Sequence, residues 1–486
     1  MEKNKNTILH IIIIVIGIVF ISLGAFHNNL WFDETYSVAL ANHNFKEIWD
    51  IGGNDVHPIL YYFMLKGVNL IFGQNLIAYR LLSVIGIAIL GILGFTHIRK
   101  DFGEKTGILF SVLTFFLPIM AIYSSEIRMY SCAIVFITLT AIYGYRLTKE
   151  NKVKSWILFG IFSLLSLYTH YYGVMAAGLI NVGLFIYFMK RKEIKKDYLP
   201  KFLITGIAQF VLYLPWIFNF IKQIKNVASG FWITFEFPGT LFEIFQFQYV
   251  GNLDSRVGLI FGYTIFLYAW YLFKKTKKDE TMRKPGIWAI WIYFGVMIAA
   301  LVLSLKTPIL YPRYLFTITG LLIFFMSYFF AKQGSTKSVK IICIILIVLS
   351  IVSNVRFIKT NYDSSNIEPI KYLKENVKEN DIIIYANPEL GTGSVAAVSL
   401  KDIKQYFYNT ENWNIKEAYK AYEPTMEIIA NLDNLESYKG KIWVLDSSDN
   451  RLSKEISEKY NVNVTLENKI QTKYQNYCYN IIVLEK

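Results

Sequence analysis

Charge is scarce in this chain. Asp, Glu, Lys and Arg make up 18% of its 486 residues, where a soluble globular domain carries about 25%. Cysteine is scarcer still, with three residues. Cys132 and Cys343 lie inside apolar runs and Cys478 lies near the C-terminus, a spacing that suggests neither a disulfide framework nor a metal site. A GxGxxG turn after a strand pattern is also missing. Gly391-Thr392-Gly393 alone is too weak a signal for a dinucleotide loop. No internal repeat is evident.

What the chain has instead is apolar length. Hydrophobic residues make up 54% and aromatics 17%, and the mean hydropathy is +0.36. The apolar residues gather in runs of roughly 17–23, enough to cross a bilayer core. In lipid only helices or closed barrels satisfy their own backbone groups. The pattern therefore predicts a polytopic α-helical membrane protein. About eleven spans are expected by run length, over 8–26, 76–98, 106–123, 127–147, 155–172, 173–189, 201–221, 257–273, 287–305, 312–331 and 339–358. The first run has Lys3 and Lys5 before it but no small-residue cleavage site after it, so it reads as a retained span.

The net charge of +14 would suggest nucleic acid in a soluble protein. Here the excess falls in short loops: His97 to Lys100, Lys149 to Lys154, Lys190 to Lys196, Lys274 to Lys278 and Lys332 to Lys340. The positive-inside rule explains that distribution. A cytoplasmic N-terminus puts all these loops inside, in a multi-pass protein of the cell membrane. The expected outer segments are a loop over 27–75, Ser124-Ser125-Glu126, Tyr168 to Tyr172, a second long loop over 222–256 and Lys306-Thr307-Pro308.

The division expected is a transmembrane domain over 1–358 and a small α/β domain over 359–486. In the latter, Asp381 to Tyr385, Lys441 to Leu445 and Tyr477 to Leu484 read as strands. Ile367 to Val377 and Leu452 to Tyr460 read as amphipathic helices. An odd number of spans places this domain outside, as a cap or acceptor-docking module.

Chemistry gathers on the outer segments. Asp33-Glu34 follows the first span directly, in Trp31-Phe32-Asp33-Glu34-Thr35-Tyr36. Asp55-Val56-His57-Pro58 follows some twenty residues on. The pair also suits a helix start, where acids are favoured, and the proline suits a turn. Arginine, not lysine, stands at three outward span ends: Arg80, Arg128 in Glu126-Ile127-Arg128-Met129-Tyr130, and Arg313 in Tyr311-Pro312-Arg313-Tyr314. Such arginines often only snorkel to the headgroups. Their fork also binds phosphate bidentately, which with outward carboxylates suits a phosphate-bearing lipid. The second outer loop, with Phe231, Trp232 and Phe237, suits a lipid chain or an ordinary aromatic belt. Thr169-His170-Tyr171-Tyr172 reads as site wall.

These residues in this order resemble glycosyltransferase family 39, over about residues 1–330. The resemblance is carried by Asp33-Glu34, Asp55-Val56-His57-Pro58 with Leu60-Tyr61-Tyr62, Arg80-Leu81-Leu82-Ser83, Ser125-Glu126-Ile127-Arg128-Met129-Tyr130, Thr169 to Tyr172, Phe231-Trp232 and Pro312-Arg313-Tyr314-Leu315. His57-Pro58-Ile59 departs from the family's usual His-Pro-Pro. The resemblance implies a C-type glycosyltransferase fold, a polyprenyl-phosphate sugar donor and an outward site. It implies Asp33 as general base with Glu34 beside it, and Arg128 and Arg313, joined by Arg80, facing the donor phosphate. Asp55, His57, Glu126, Tyr130, His170, Tyr171 and Trp232 would line the substrate site. A divalent metal ion is a candidate cofactor, with Asp33, Glu126 and His57 as candidate ligands.

A sugar on a lipid phosphate carries its own leaving group. What it lacks is a base for the acceptor hydroxyl on the opposite face of the anomeric carbon, a geometry that inverts configuration. The expected acceptor is an extracytoplasmic hydroxyl on a protein, glycan, polymer or lipid. A transporter or flippase of lipid-linked precursors is the alternative. It would place charges mid-span and often show repeats, whereas here the ionisable residues stand mainly at outward span ends.

Overall fold

The computed structural model describes residues 2–230, 233–234, 236–411, 415–436 and 438–485. Among them, nine helices are long and apolar enough to cross a membrane: Asn4–Ser22, Leu76–Phe102, Tyr130–Leu147, Tyr171–Lys190, Lys192–Ala228, Ser255–Lys275, Glu280–Ser304, Pro312–Gln333 and Thr336–Asn361. The two other expected spans are helical but shorter. The run over 106–123 divides into Glu104–Phe116 and Pro118–Tyr123. Leu117 between them is extended at ψ 124°, as the residue before a proline prefers. The run over 155–172 is the 17-residue helix Val153–Thr169, ended by extended His170.

Burial sorts these helices. In the most apolar window of Pro312–Gln333 94% of residues are buried, and in Tyr130–Leu147 83%, against 17% in both Asn4–Ser22 and Lys192–Ala228. The first two helices are the bundle's centre. The outer ones present isoleucines, leucines and phenylalanines such as Ile12, Ile204 and Phe218 to their surroundings. A surface that apolar is stable in lipid and not in water, so the chain is a multi-pass membrane protein. The stretch over 222–256, expected as a loop, is in good part helical among the described residues. The 37-residue helix Lys192–Ala228 is about 56 Å long at 1.5 Å per residue, well beyond a bilayer core. A further helix, Gly239–Val250, follows it.

The chain divides into two compact units. The first holds residues 1–26, 56–61 and 79–357, and the second holds 27–55, 62–78 and 358–486. The second unit is built on a six-stranded sheet of order β3-β2-β1-β4-β6-β5. Its strands are β1 Ile382–Ala386, β2 Gln405–Tyr408, β3 Met426–Ile429, β4 Ile442–Asp446, β5 Asn463–Gln471 and β6 Cys478–Glu485. β1 to β4 run parallel, β6 is antiparallel to β4, and β5 is antiparallel to β6. The continuous apolar runs of β1 and β4 are buried, as central parallel strands require. Asp446 at the end of β4 accepts the backbone N–H groups of Leu452 and Ser453 at 3.1 and 2.7 Å. It thereby fixes the start of Arg451–Tyr460, whose own first-turn donors have no helical partner. Helix Phe32–Ala41 packs on Leu390–Ser399 and on the 3-10 turn Lys416–Tyr422.

Candidate active site: an acidic tyrosine-lined set and a basic histidine set

In the second unit, helix Phe32–Ala41 places both acids in its first turn. Glu34 is wholly buried. Its Oε2 accepts the Trp31 backbone N–H at 3.3 Å and the Tyr474 hydroxyl at 3.2 Å. Glu34 thus accepts from the residue that precedes the helix, as a capping acid in a first turn does. Asp33, one residue earlier, is half-buried. Asp55 is buried and accepts the Tyr62 hydroxyl at 3.0 Å.

Tyrosines surround these carboxylates. The Phe32 N–H donates to the Tyr477 hydroxyl at 2.9 Å. Thr35 Oγ1 donates to the Phe32 carbonyl at 2.7 Å and meets the Tyr422 hydroxyl at 2.8 Å. With its own proton committed, Thr35 accepts from Tyr422. Tyr36 packs edge-on against Tyr62 and lies 6.5 Å from Tyr419. Burial pushes the Tyr419 phenol well above its ordinary range, with neighbouring Tyr422, Asp33 and Asp55 adding to it. Burial, opposed by the bond from Phe32 and helped by Asp33 and Glu34, pushes Tyr477 to about 12. These phenols stay protonated at neutral pH and present O–H donors around the acids.

In the first unit, residues far apart in sequence converge. His57 and His170 rings lie 5.6 Å apart, His170 and Tyr130 5.7 Å, and His170 and Tyr314 5.1 Å. The Arg313 guanidinium sits over the Tyr311 ring at 5.2 Å. Arg128 is buried and Arg313 half-buried. Burial lowers the His57 pKa well below its ordinary value, and the charges of Arg128 and Arg313 lower it further, with His170. His57 is a neutral ring beside two cations. His170 Nδ1 accepts the Tyr172 N–H at 3.1 Å, so the ring proton of the neutral imidazole is assigned to Nε2. That Nε2 and the Tyr130 hydroxyl are buried with no hydrogen-bond partner among the described residues.

Arg80 stands behind this set. It is buried, and its Nη1 donates to the Ser125 carbonyl at 2.6 Å. Ser83, one turn on, donates to the Glu126 carbonyl at 2.5 Å. Together they hold the turn that carries half-buried Glu126 and Arg128. Gly86 permits this approach, since a Cβ there would lie 2.8 Å from the Ser131 carbonyl oxygen. Tyr171 donates to Gln223 Oε1, and Gln223 Nε2 donates to the His57 carbonyl at 3.3 Å.

Of the residues expected from sequence, the first unit gathers His57, Arg80, Glu126, Arg128, Tyr130, His170, Tyr171 and Arg313. The second gathers Asp33, Glu34 and Asp55. Trp232 and Phe231 lie outside the described residues. Among the described residues, no group of three or more His, Cys, Asp or Glu is disposed to hold a metal ion. The sequence reading missed Gln223, the ring role of Tyr314 and the tyrosines that the tail adds to the lining. Tyr314 adjoined a motif arginine, whereas Tyr419, Tyr422, Tyr474 and Tyr477 come from the tail and carried no signal.

Residues 56–218, a third of the chain, match the dolichyl-phosphate-mannose-protein mannosyltransferase family. The resemblance read from the motifs holds over that stretch, and it sets the class: a glycosyltransferase on a multi-pass membrane fold. The chain also shares its fold with ArnT from Cupriavidus metallidurans, whose crystal structure was determined bound to undecaprenyl phosphate. The two are 12% identical with a TM-score of 0.65, over 98% of this chain and 97% of that one. No curated protein matches by sequence.

Proposed function

We propose that this protein moves a sugar from a polyprenyl-phosphate donor to a hydroxyl acceptor on the outer face of the membrane, with inversion at the anomeric carbon. Asp33 takes the proton of the acceptor hydroxyl. Arg128 and Arg313 meet the negative charge that develops on the departing phosphate, the largest electrostatic demand of the step. Tyr130 and His170 add neutral donors to the same phosphate, and Arg80 is a strut that positions Arg128. The N-terminus lies inside, by the distribution of lysine among the loops.

The observation that carries this reading is the convergence of Arg128 and Arg313 with two buried donors, Tyr130 OH and His170 Nε2, that have no hydrogen-bond partner among the described residues. Snorkelling arginines have no need of such company. A transporter would place its charges mid-span, whereas Arg128 precedes the span Tyr130–Leu147 and Arg313 opens Pro312–Gln333.

The test is transfer in membranes from undecaprenyl-phosphate-linked sugars, with donor affinity measured alongside. Arg128→Gln is expected to weaken donor binding on the order of 10- to 100-fold, the worth of a charge-assisted hydrogen bond of about 1.5–3 kcal/mol. Unchanged affinity would return Arg128 to a snorkelling role and remove the phosphate assignment.

A further inference from the structure

A second charged feature lies at the other end of the same helices. Helix Tyr130–Leu147 starts at the histidine set and has 18 residues, which at 1.5 Å per residue carries it about 27 Å, close to a bilayer core of about 30 Å. Its C-terminal end and the loop that follows, together with parts of 96–103, the start of Val153–Thr169, Thr281, Pro285, Tyr328 and Lys332, line a cavity of about 820 Å³. That volume falls within the ~300–1,000 Å³ of small-molecule sites.

The lining carries six lysines and arginines against two carboxylates, Asp101 and Glu150. Both acids are already engaged. Asp101 accepts from Arg146 Nε at 2.7 Å. Glu150 meets Lys152 at 2.5 Å and accepts from the Ser155 hydroxyl at 2.6 Å. Among the described residues Lys100, Lys149, Lys154 and Lys332 meet no carboxylate within 4.0 Å. Two of these ammonium groups lie over tyrosine rings, Lys149 over Tyr145 at 5.6 Å and Lys332 over Tyr328 at 5.8 Å.

Positive charge on an inner loop is ordinary. Here it converges on a formed concavity at headgroup depth, with its own acids neutralised and aromatic walls beneath. Basic pockets between membrane helices on the inner side hold anionic headgroups by this chemistry. We infer that this cavity binds the phosphate-bearing headgroup of an anionic membrane lipid, at the membrane face opposite the histidine set. The inference is independent of the transfer reaction, and its test does not measure transfer.

The full-length protein in detergent is titrated with short-chain phosphatidylglycerol, with short-chain phosphatidylcholine and with inorganic phosphate, and bound lipid is counted by native mass spectrometry. Phosphatidylglycerol is expected to bind in preference to phosphatidylcholine. Each lining lysine removed is expected to weaken it about fivefold, so Lys100→Gln/Lys149→Gln/Lys332→Gln together weaken it on the order of 100-fold. The single variant Lys149→Gln, about fivefold weaker, carries the test if the triple variant does not fold. Lys190→Gln/Lys192→Gln/Lys195→Gln, at a basic helix junction outside the lining, is expected to leave binding nearly unchanged. Equal binding of the two lipids would overturn the inference, as would equal loss in both triple variants. Full displacement of the lipid by an equal concentration of inorganic phosphate would overturn the lipid as the source of the phosphate.

Discussion

The paired acids at the start of helix Phe32–Ala41 are adjacent in sequence, yet their substitutions are expected to have opposite consequences. Glu34→Gln keeps the shape of a wholly buried side chain and one oxygen acceptor. It turns the bonds from Trp31 N–H and Tyr474 O–H from charge-assisted to neutral, a loss of about 1 kcal/mol each. It also removes negative charge from a helix first turn, worth about 0.3–1 kcal/mol. The expected destabilisation is therefore about 2–3 kcal/mol, with transfer within about tenfold of wild type per folded molecule. Asp33→Asn changes a half-buried side chain at constant volume, and its stability cost is expected to stay within about 0.5 kcal/mol. Its transfer rate is expected to fall about 10²- to 10⁴-fold, the usual worth of a general base. The assays are the apparent unfolding temperature of the detergent-solubilised protein and transfer in membranes from a polyprenyl-phosphate sugar. Full turnover in Asp33→Asn would refute the base assignment. An unchanged unfolding temperature in Glu34→Gln would refute its capping role.

Gly86→Ala drives a Cβ to 2.8 Å from the Ser131 carbonyl oxygen and is expected to push Leu76–Leu93 away from the turn bearing Arg128. Overpacking of this kind costs about 1–3 kcal/mol, and weaker donor binding alongside a lower unfolding temperature would be the signature. Glu389 gives a pH test in the second unit. Burial raises its pKa to about 7, with Asp446 and Asp449 adding to the rise. Between its ordinary value and about 7 the folded chain binds the more protons, so stability is lost as pH rises through that window. Glu389→Gln is expected to flatten the fall in unfolding temperature between pH 5 and pH 8; an unchanged slope would remove Glu389 as its source.

Much of this architecture was legible in the sequence because the bilayer imposes one strong periodicity. Apolar runs such as Ile8 to Phe26 announce a helix wherever they occur. Strands β1 and β4 were equally plain, being short apolar runs bounded by polar residues. The break at Leu117-Pro118 was written in the sequence but outweighed by the apolar run around it. β2, β3 and β5 were not legible: Asn463–Gln471 is mostly exposed, so hydrophobic pattern says little about it. Within the site, His57, Arg128, His170 and Arg313 stood out because each is a polar residue at the edge of an apolar run. Gln223 stood at such an edge too, but glutamine in a lysine-rich stretch carries no chemical flag. Arg80 stood out in the same way, and its bond to the Ser125 carbonyl is what no sequence pattern encodes. The tyrosines around Asp33 arrive from some 400 residues downstream, a proximity that no local pattern encodes.

The second unit is assembled from three stretches, 27–55, 62–78 and 358–486, and a ribosome makes the first two long before the third. At about 5–20 residues per second, the roughly 280 residues between them take on the order of 15–60 s. During that interval helix Phe32–Ala41 has no Leu390–Ser399 to lie on, Thr35 has no Tyr422 and Glu34 has no Tyr474. A chain arrested just before residue 358 holds His57, Arg128, His170 and Arg313 but an acidic helix without its packing partners. The order of synthesis therefore makes the acid-bearing half the last to be completed, only once the final membrane helix has been made.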